Sequence, residues 1–385
     1  MPWKETCPMD QRLKFIAAVN KSDLSFAALC REHTISRKTG YKWCARYEAL
    51  GPRGLEDGDP GKHASPNAIP EVLRDRIREA RKEHPTWGPE KLRSWLLDHG
   101  ESRVPVASTI GDLLKNRGLI VPRRRRVRTP PSVEPLAVGS QANEVWCTDF
   151  KGHFALGDKT RCHPLTLTDH ASRYLFKCEG LAAPTEEGAR VHFDRAFREF
   201  GLPDRMRSDN GVPFASTAPG GLSALSVWWI QLGIIPERIE PGQPQQNGRH
   251  ERMHKTLKAE VASPPCATMI EQQRAFDRFR HIYNDERPHE ALGQKPPASR
   301  YARSRRAMPS TPRSPEYADS MKTRRLDEAG RLQFAGHKTP VTRLLAGEPV
   351  GLDPIDEETW EIFYGPIAIG ELRLRNKELS LVRIT

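Results

Sequence analysis

Three acids in this chain have the residue types and the surroundings that two-metal phosphoryl chemistry needs. Asp149 stands in Trp146-Cys147-Thr148-Asp149-Phe150 and Asp209 in Arg207-Ser208-Asp209-Asn210-Gly211. Glu251 stands in Gln246-Asn247-Gly248-Arg249-His250-Glu251-Arg252. The first lies in a short apolar run, the second at a strand-to-turn junction, and the third opens a basic helix. Hard divalent cations such as Mg²⁺ (or Mn²⁺) prefer oxygen ligands. Two such ions can clamp the attacking and leaving oxygens of an in-line phosphoryl displacement. Acids at the ends of neighbouring strands and on one helix can converge on such a pair.

The elements around these acids are legible. A strand over 144–150 puts Val145, Cys147 and Asp149 on one face. Two further strands are expected at 164–168 and 174–178, joined through Asp169-His170-Ala171-Ser172-Arg173. A helix over 185–200 carries Glu186 and Glu187 in its first turn and buries Phe193, Ala196, Phe197 and Phe200. Gly201 ends it, and a strand over 205–208 leads to Asp209. Three strands, a helix, a fourth strand with an acid at its end, then helix, strand and helix is the order of a ribonuclease-H-like α/β fold.

In the expected helix 248–261, Met253, Leu257 and Val261 recur at i, i+4 and i+8 and form a buried stripe. Lys255 and Lys258 each fall within about 40° of Glu251, away from that stripe. A solvated Glu–Lys pair at i, i+4 would give the same pattern, so the helix alone does not make Glu251 a ligand. His250 and His254 read as ordinary helix-surface residues. Asp169, between two strands and beside Ser172-Arg173, reads as structural, and Trp228-Trp229-Ile230 as helix packing. Cys162-His163 has no partner pair for zinc.

Composition narrows the function classes. In 385 residues there are 61 Lys plus Arg against 49 Asp plus Glu, a net charge of +12. That balance favours a polyanionic partner, because neutralising phosphates releases condensed counterions. The seven cysteines are scattered singly without a CxxC pair, which argues against a zinc ribbon or a disulfide framework. With no apolar run of membrane-span length, a cytoplasmic, nucleoid-associated protein with no membrane partner is expected.

Two basic, proline-bearing stretches divide the chain. The resulting plan is a helix-turn-helix domain at 1–58, a second at 67–121, a basic Pro-rich linker at 122–139, and an α/β domain at 140–301. A basic linker at 302–322 and a small β domain at 323–385 follow. In the first domain, helices at 11–20, 25–33 and 36–47 are separated by a break at Thr34-Ile35, with Ser25 and Ser36 as N-caps. The last of them bears Arg37, Lys38 and Lys42, residues suited to DNA. The second domain places helices at 71–83, 89–99 and 107–116, with Trp87 and Trp95 in its core. The run Arg123-Arg124-Arg125-Arg126 suits phosphate contact.

The run from Pro241 to Lys258 resembles the third-acid motif of DDE insertion-sequence transposases with a retroviral-integrase-like core. Ser208-Asp209-Asn210-Gly211 is similar to their second-acid motif, and Trp146-Cys147-Thr148-Asp149-Phe150 to their first. The segment Tyr283-Asn284-Asp285-Glu286-Arg287-Pro288-His289-Glu290-Ala291-Leu292 resembles the one that closes the same domain. The resemblance covers 140–301, and the tandem helix-turn-helix suits the same proteins. It implies Asp149, Asp209 and Glu251 as catalytic ligands of two Mg²⁺ (or Mn²⁺) ions, and Lys255 and Lys258 against the DNA end. It also implies element ends and target as double-stranded DNA partners, and a homo-oligomer that holds two ends together. Asn210, Gly211, Asn247 and Gly248 are expected to shape turns. The spacing from Asp209 to Glu251 exceeds that usual in retroviral integrases, and the excess fits a loop at 215–223. Two other readings stay open: a related nuclease that cleaves without joining, and a non-catalytic DNA-binding descendant.

Overall fold

The computed structural model describes residues 7–57, 68–120, 136, 139–240, 243–375 and 378–383. It falls into two compact units, Met1–Pro70 and Glu71–Thr385.

Short polar caps and apolar spacing build the first unit. Helices α1 (Pro8–Lys21), α2 (Phe26–Glu32) and α3 (Arg37–Leu50) surround Phe15, Ile16, Leu29 and Cys30. Ser25 and Ser36 accept from Ala28 N and Thr39 N, which satisfies one otherwise unpaired helix-start donor each. Gly40 lets α3 approach closely, since a Cβ there would come within 2.9 Å of Cys30 Sγ. Arg37, Lys38 and Lys42 are left exposed on α3.

The second unit starts with α4 (Glu71–Glu83), α5 (Pro89–Asp98) and α6 (Ala107–Asn116). Trp87 and Trp95 are buried with Leu73, Ile77, Leu92, Ile110 and Leu114. This module is joined to the α/β region: Thr86 and Arg287 both bond Glu260, and Ser94 Oγ donates to Gln294 O at 3.1 Å.

The α/β region carries β1 (Val145–Phe150), β2 (Phe154–Ala155), β3 (Arg161–Asp169), β4 (Leu175–Leu181), β5 (Arg205–Ser208) and β6 (Ile235–Arg238). Its helices are α7 (Glu186–Phe200), α8 (Ala224–Gln231), α9 (Gly248–Val261) and α10 (Met269–His281). β3 pairs antiparallel with β1 and with β4, and the short β2 pairs with the start of β3; β5 and β6 continue from β1 in parallel. Three antiparallel strands extended by two parallel ones is the ribonuclease-H-like arrangement. Trp146, Leu165, Leu167 and Phe176 meet α7 and α8 on one face. Leu175 and Cys178 meet Met253, Leu257, Phe276 and Phe279 on the other. Asn284 closes the region by bonding both the N–H and the C=O of Leu175, at 2.8 and 2.9 Å.

The stretch 302–322, expected as a linker, is docked rather than solvated. Ser304 Oγ donates to Leu202 O at 2.6 Å, and Arg306 Nη2 donates to Gly233 O at 2.6 Å. Beyond it lie β7 (Lys322–Arg325), β8 (Arg331–Phe334), β9 (His337–Pro340), β10 (Pro349–Pro354), β11 (Thr359–Tyr364), β12 (Ile367–Arg375) and β13 (Glu378–Arg383). Five of these form an antiparallel sheet in the order β13-β12-β11-β10-β7, and β8 and β9 form a hairpin. Its core takes in Leu222, Val227 and Ile230. So α8 is apolar all round because it is covered twice: Trp228 and Trp229 face the α/β core, Val227 and Ile230 the β domain. The loop 215–223 ends in a buried Pro219-Gly220-Gly221 turn that lies against Ala368 and Ile369.

Candidate active site

The strand register brings the first two acids level. β1 and β5 are parallel neighbours in which Cys147 pairs with Arg207, two residues before each acid. Asp149 is the penultimate residue of β1, and Asp209 follows β5 directly. Gly211 N donates to Asp209 Oδ1 at 3.1 Å, and Asn210 Nδ2 donates to Ile239 O at 2.7 Å, so this turn is held on both sides. Glu251 lies in the first turn of α9, exposed, with Lys255 and Lys258 also exposed further along the helix. No Glu251–Lys255 ion pair forms. Asn247 occupies the N-cap position of α9 but makes no capping bond through its side chain.

The other two acids act on Asp149. Burial pushes the Asp149 carboxyl up to about 7, and the negative charges of Asp209 and Glu251 push the same way, against Lys151. A like charge nearby disfavours ionisation, and a cation would relieve it. Among the described residues neither Asp209 nor Glu251 has an ion-pair partner. Among the described residues, the group whose possible ligand atoms lie within 4.8 Å of one another is Asp149, His250 and His254, not the three acids together.

Two other acids of this domain are engaged elsewhere. Asp169 is buried and accepts from Asn143 N (2.8 Å), Ser172 N (2.7 Å) and Ser172 Oγ (2.6 Å), closing the β3–β4 turn. Glu237 forms a buried ion pair with Arg207 at 2.7 Å.

His250 and His254 depart from the surface role expected of them. Both are 2% exposed and lie under α9, facing the sheet. Thr166 Oγ1 is 2.8 Å from His250 Nε2 and 2.6 Å from His254 Nε2, and Thr168 Oγ1 is 2.8 Å from His250 Nδ1. His254 Nδ1 is 3.5 Å from Asp149 Oδ2. Burial pushes His250 down to about 3 and His254 well below its usual value, so both are neutral. A signal was present: His250, Met253, His254 and Leu257 follow the i, i+3, i+4, i+7 spacing of a helix's buried face.

Of the other basic residues singled out, Arg37, Lys38 and Lys42 belong to the first unit. Arg123, Arg124, Arg125 and Arg126 lie outside the described residues. Among the described residues, no helix is long and apolar enough to cross a membrane.

Family models agree with this layout. Integrase core domain models match residues 139–244 and 232–297. A helix-turn-helix domain model matches 11–63, and a homeodomain-like one 39–114. An uncharacterized 31.7 kDa protein of insertion element IS407 from Burkholderia multivorans is 31% identical over 258 residues, 65% of this chain and 87% of that protein. The chain belongs to the insertion-element transposases with an integrase core. The transposase is also 29% identical to an uncharacterized 39.2 kDa protein of insertion element IS476 from Xanthomonas euvesicatoria, over 62% of this chain and 68% of that one. Among solved structures, the HTLV-2 integrase catalytic core domain in complex with magnesium matches at 16% identity and a TM-score of 0.34. That match covers 43% of the transposase and 99% of the viral domain.

Proposed function

We propose that this transposase binds the ends of its insertion sequence and catalyses metal-dependent cleavage and strand transfer, with Asp149, Asp209 and Glu251 as the catalytic acids. The observation that supports the reading is the strand register: Asp149 and Asp209 stand at one level of the neighbouring parallel strands β1 and β5, and Glu251 is exposed in the first turn of α9, with no ion-pair partner for Asp209 or Glu251 among the described residues. The three carboxylates would hold two Mg²⁺ (or Mn²⁺) ions. Bound there, such ions activate the attacking oxygen, of water or a 3′-hydroxyl, and stabilise the departing 3′ oxygen.

The chain's own residues do the rest. β1 and β5 hold two carboxylates at one level, and α9 carries the third on its exposed side. Lys255 and Lys258, exposed beyond Glu251, would neutralise phosphates of the DNA end. Arg37, Lys38 and Lys42 on α3 would contact the terminal repeat as the reading helix of a helix-turn-helix does, and Arg123 to Arg126 would add phosphate contacts. Work on two DNA ends requires more than one copy, so a homo-oligomer on DNA is expected.

The test is Mg²⁺-dependent strand transfer with the full chain and a labelled duplex carrying the inverted repeat that flanks its gene. Joined products that disappear with Asp209→Asn while DNA binding persists support the reading. Cleavage without joining identifies a nuclease instead. Joining that survives Asp209→Asn removes the triad.

A further inference from the structure

We propose that His254 is a positioning residue for Asp149, standing at the end of a buried, directional hydrogen-bond chain that runs from Thr168 through His250 and Thr166. The inference deepens the function proposed above and rests on Asp149 being a metal ligand.

The chain has three hydrogen-bonded links and ends on a longer contact with Asp149. Thr168 Oγ1 lies 2.8 Å from His250 Nδ1, and His250 Nε2 lies 2.8 Å from Thr166 Oγ1. Thr166 Oγ1 lies 2.6 Å from His254 Nε2, and His254 Nδ1 lies 3.5 Å from Asp149 Oδ2. Both threonines and both histidines are buried, so each donor and acceptor must find its partner within the protein. Strand alternation sets this up: Thr166 and Thr168 share the face of β3 that looks at α9, opposite Asp149 and Cys147 of β1.

Proton counting gives the chain its direction. Each hydroxyl and each neutral imidazole has one hydrogen to donate, whereas an ionised carboxylate can only accept. With Asp149 ionised, as it is above about pH 7 or with a cation bound, His254 must therefore donate from Nδ1. Its Nε2 is then an acceptor and takes the Thr166 hydroxyl hydrogen. Thr166 in turn accepts from His250 Nε2–H, and His250 Nδ1 accepts from Thr168. Every group along the line is satisfied. The competing arrangement gives the Thr166 hydrogen to the Asp149 carbonyl, 3.1 Å away. Both imidazoles must then donate to Thr166 from Nε2, and the bare lone pair of His254 Nδ1 is turned on the Asp149 carboxylate. That is repulsive beside two other acids.

The contact with Asp149, at 3.5 Å, is longer than a formed hydrogen bond, and contacts of this kind in an unloaded site tighten once it is loaded. Its effect would be to fix the orientation of the Asp149 carboxylate through Oδ2. Partners that hydrogen-bond a ligand typically account for 10–100-fold in metal affinity, of which His254 would supply the part that fixes this carboxylate. The alternative is that the imidazole is itself a ligand, since Asp149, His250 and His254 bring one ligand atom each within 4.8 Å of one another.

The experiment uses the full chain and Mn²⁺ alone as probe, with free Mn²⁺ followed by electron paramagnetic resonance. His254→Leu removes the donor and keeps the site filled, and is expected to weaken Mn²⁺ binding by roughly 10–100-fold. His254→Asn, whose amide N–H can replace Nδ1–H, is expected to remain within a few-fold of wild type. Selective ¹⁵N-histidine labelling of the unmodified chain at about pH 8.5, where Asp149 is ionised, is expected to show the Nδ1–H tautomer at His254 and Nε2–H at His250, a readout independent of whether a variant folds. Wild-type Mn²⁺ binding in His254→Leu overturns the proposal. So does an Asn variant as weak as the Leu variant, which would make the imidazole a ligand, and so does an Nε2–H tautomer at His254. Asp149→Asn is the separate control. If Mn²⁺ binding survives that change, the metal assignment itself falls, whatever the tautomers are.

Discussion

The two faces of the central sheet differ sharply in what they bury. Toward α7 and α8, Trp146, Leu165, Leu167 and Phe176 meet Phe193, Phe197 and Trp229, all within 1% of complete burial. Toward α9, the apolar packing of Met253 and Leu257 gives way near β1 to Thr166, Thr168, His250, His254 and Asp149. Neutral polar groups inside a protein are tolerated only when bonded. The α9 face meets that condition for its threonines and histidines, yet leaves Asp149 half-buried, its carboxyl raised by burial and by the charges of Asp209 and Glu251. One face thus supplies stability, and the other spends some of it to hold charge in a chosen place. The same β-strands serve both, because successive side chains point to opposite sides.

The largest expected effects break this contrast from the α9 side. Asp149→Asn should lower Mg²⁺-dependent strand transfer by roughly 10³-fold or more, the scale of several kcal/mol of charge stabilisation lost. It should leave DNA binding in a gel-shift assay nearly intact. It should not lower the metal-free melting temperature, because it removes a carboxylate that burial and two neighbours disfavour. A variant that melts much earlier would show that this face is structural after all. From the other side, Phe197→Ala removes a fully buried ring packed near Trp146, Phe193 and Trp228. Urea unfolding should register a loss of about 3–5 kcal/mol. Mn²⁺ affinity per folded molecule should hold, and a large loss of it would mean the faces are not separable.

How much of this was legible in the chain depended on local signal. The strand at 205–208 and the helices at 71–83, 107–116 and 248–261 are found at their expected bounds, where caps, apolar spacing and glycines agree. β6 carried little signal: it is the sheet's edge strand and contains Pro236, which removes a ladder donor that an edge can spare. β9, His-Lys-Thr-Pro, is polar in type and is held by pairing with β8 across a left-handed Ala335-Gly336 turn. The docking of 302–322 was hidden because Arg306 finds backbone carbonyls rather than acids alone. The buried histidines were missed for a related reason. Their partners, Thr166 and Thr168, lie more than eighty residues away in the chain and declare themselves only once β3 lies beneath α9.

A smaller effect sharpens the electrostatic half of the contrast. The folded Asp149 carboxyl titrates about 7, above its usual value, so the folded metal-free chain binds this proton better than the unfolded chain does. Its contribution therefore stabilises the metal-free protein at low pH and is lost as pH rises toward 7. A cation must displace the same proton, so apparent Mn²⁺ affinity should fall about tenfold per unit as pH drops below about 7, and level off above it. A titration by electron paramagnetic resonance from about pH 5.5 to 8 reads this directly. A flat profile would mean that the carboxyl is already ionised and the mutual charge of the acids is weak.

The smallest effect concerns the outward side of α9, where the structure separates two readings of Lys255. Were it simply a partner of Glu251 at i, i+4, Lys255→Ala would remove about 0.3–0.5 kcal/mol of helix stability and nothing else. No such ion pair forms, and the ammonium is exposed beyond an acid that would lie at the reacting phosphate. A phosphate contact predicts instead that Lys255→Ala leaves the melting temperature in place. It would weaken DNA binding about equally for cognate and scrambled ends, and reduce the salt slope of binding by about 1. Binding measured across a salt series on both duplexes tells these apart. An unchanged slope would return Lys255 to the solvent, and a loss confined to the cognate end would make it a reader of bases rather than of backbone.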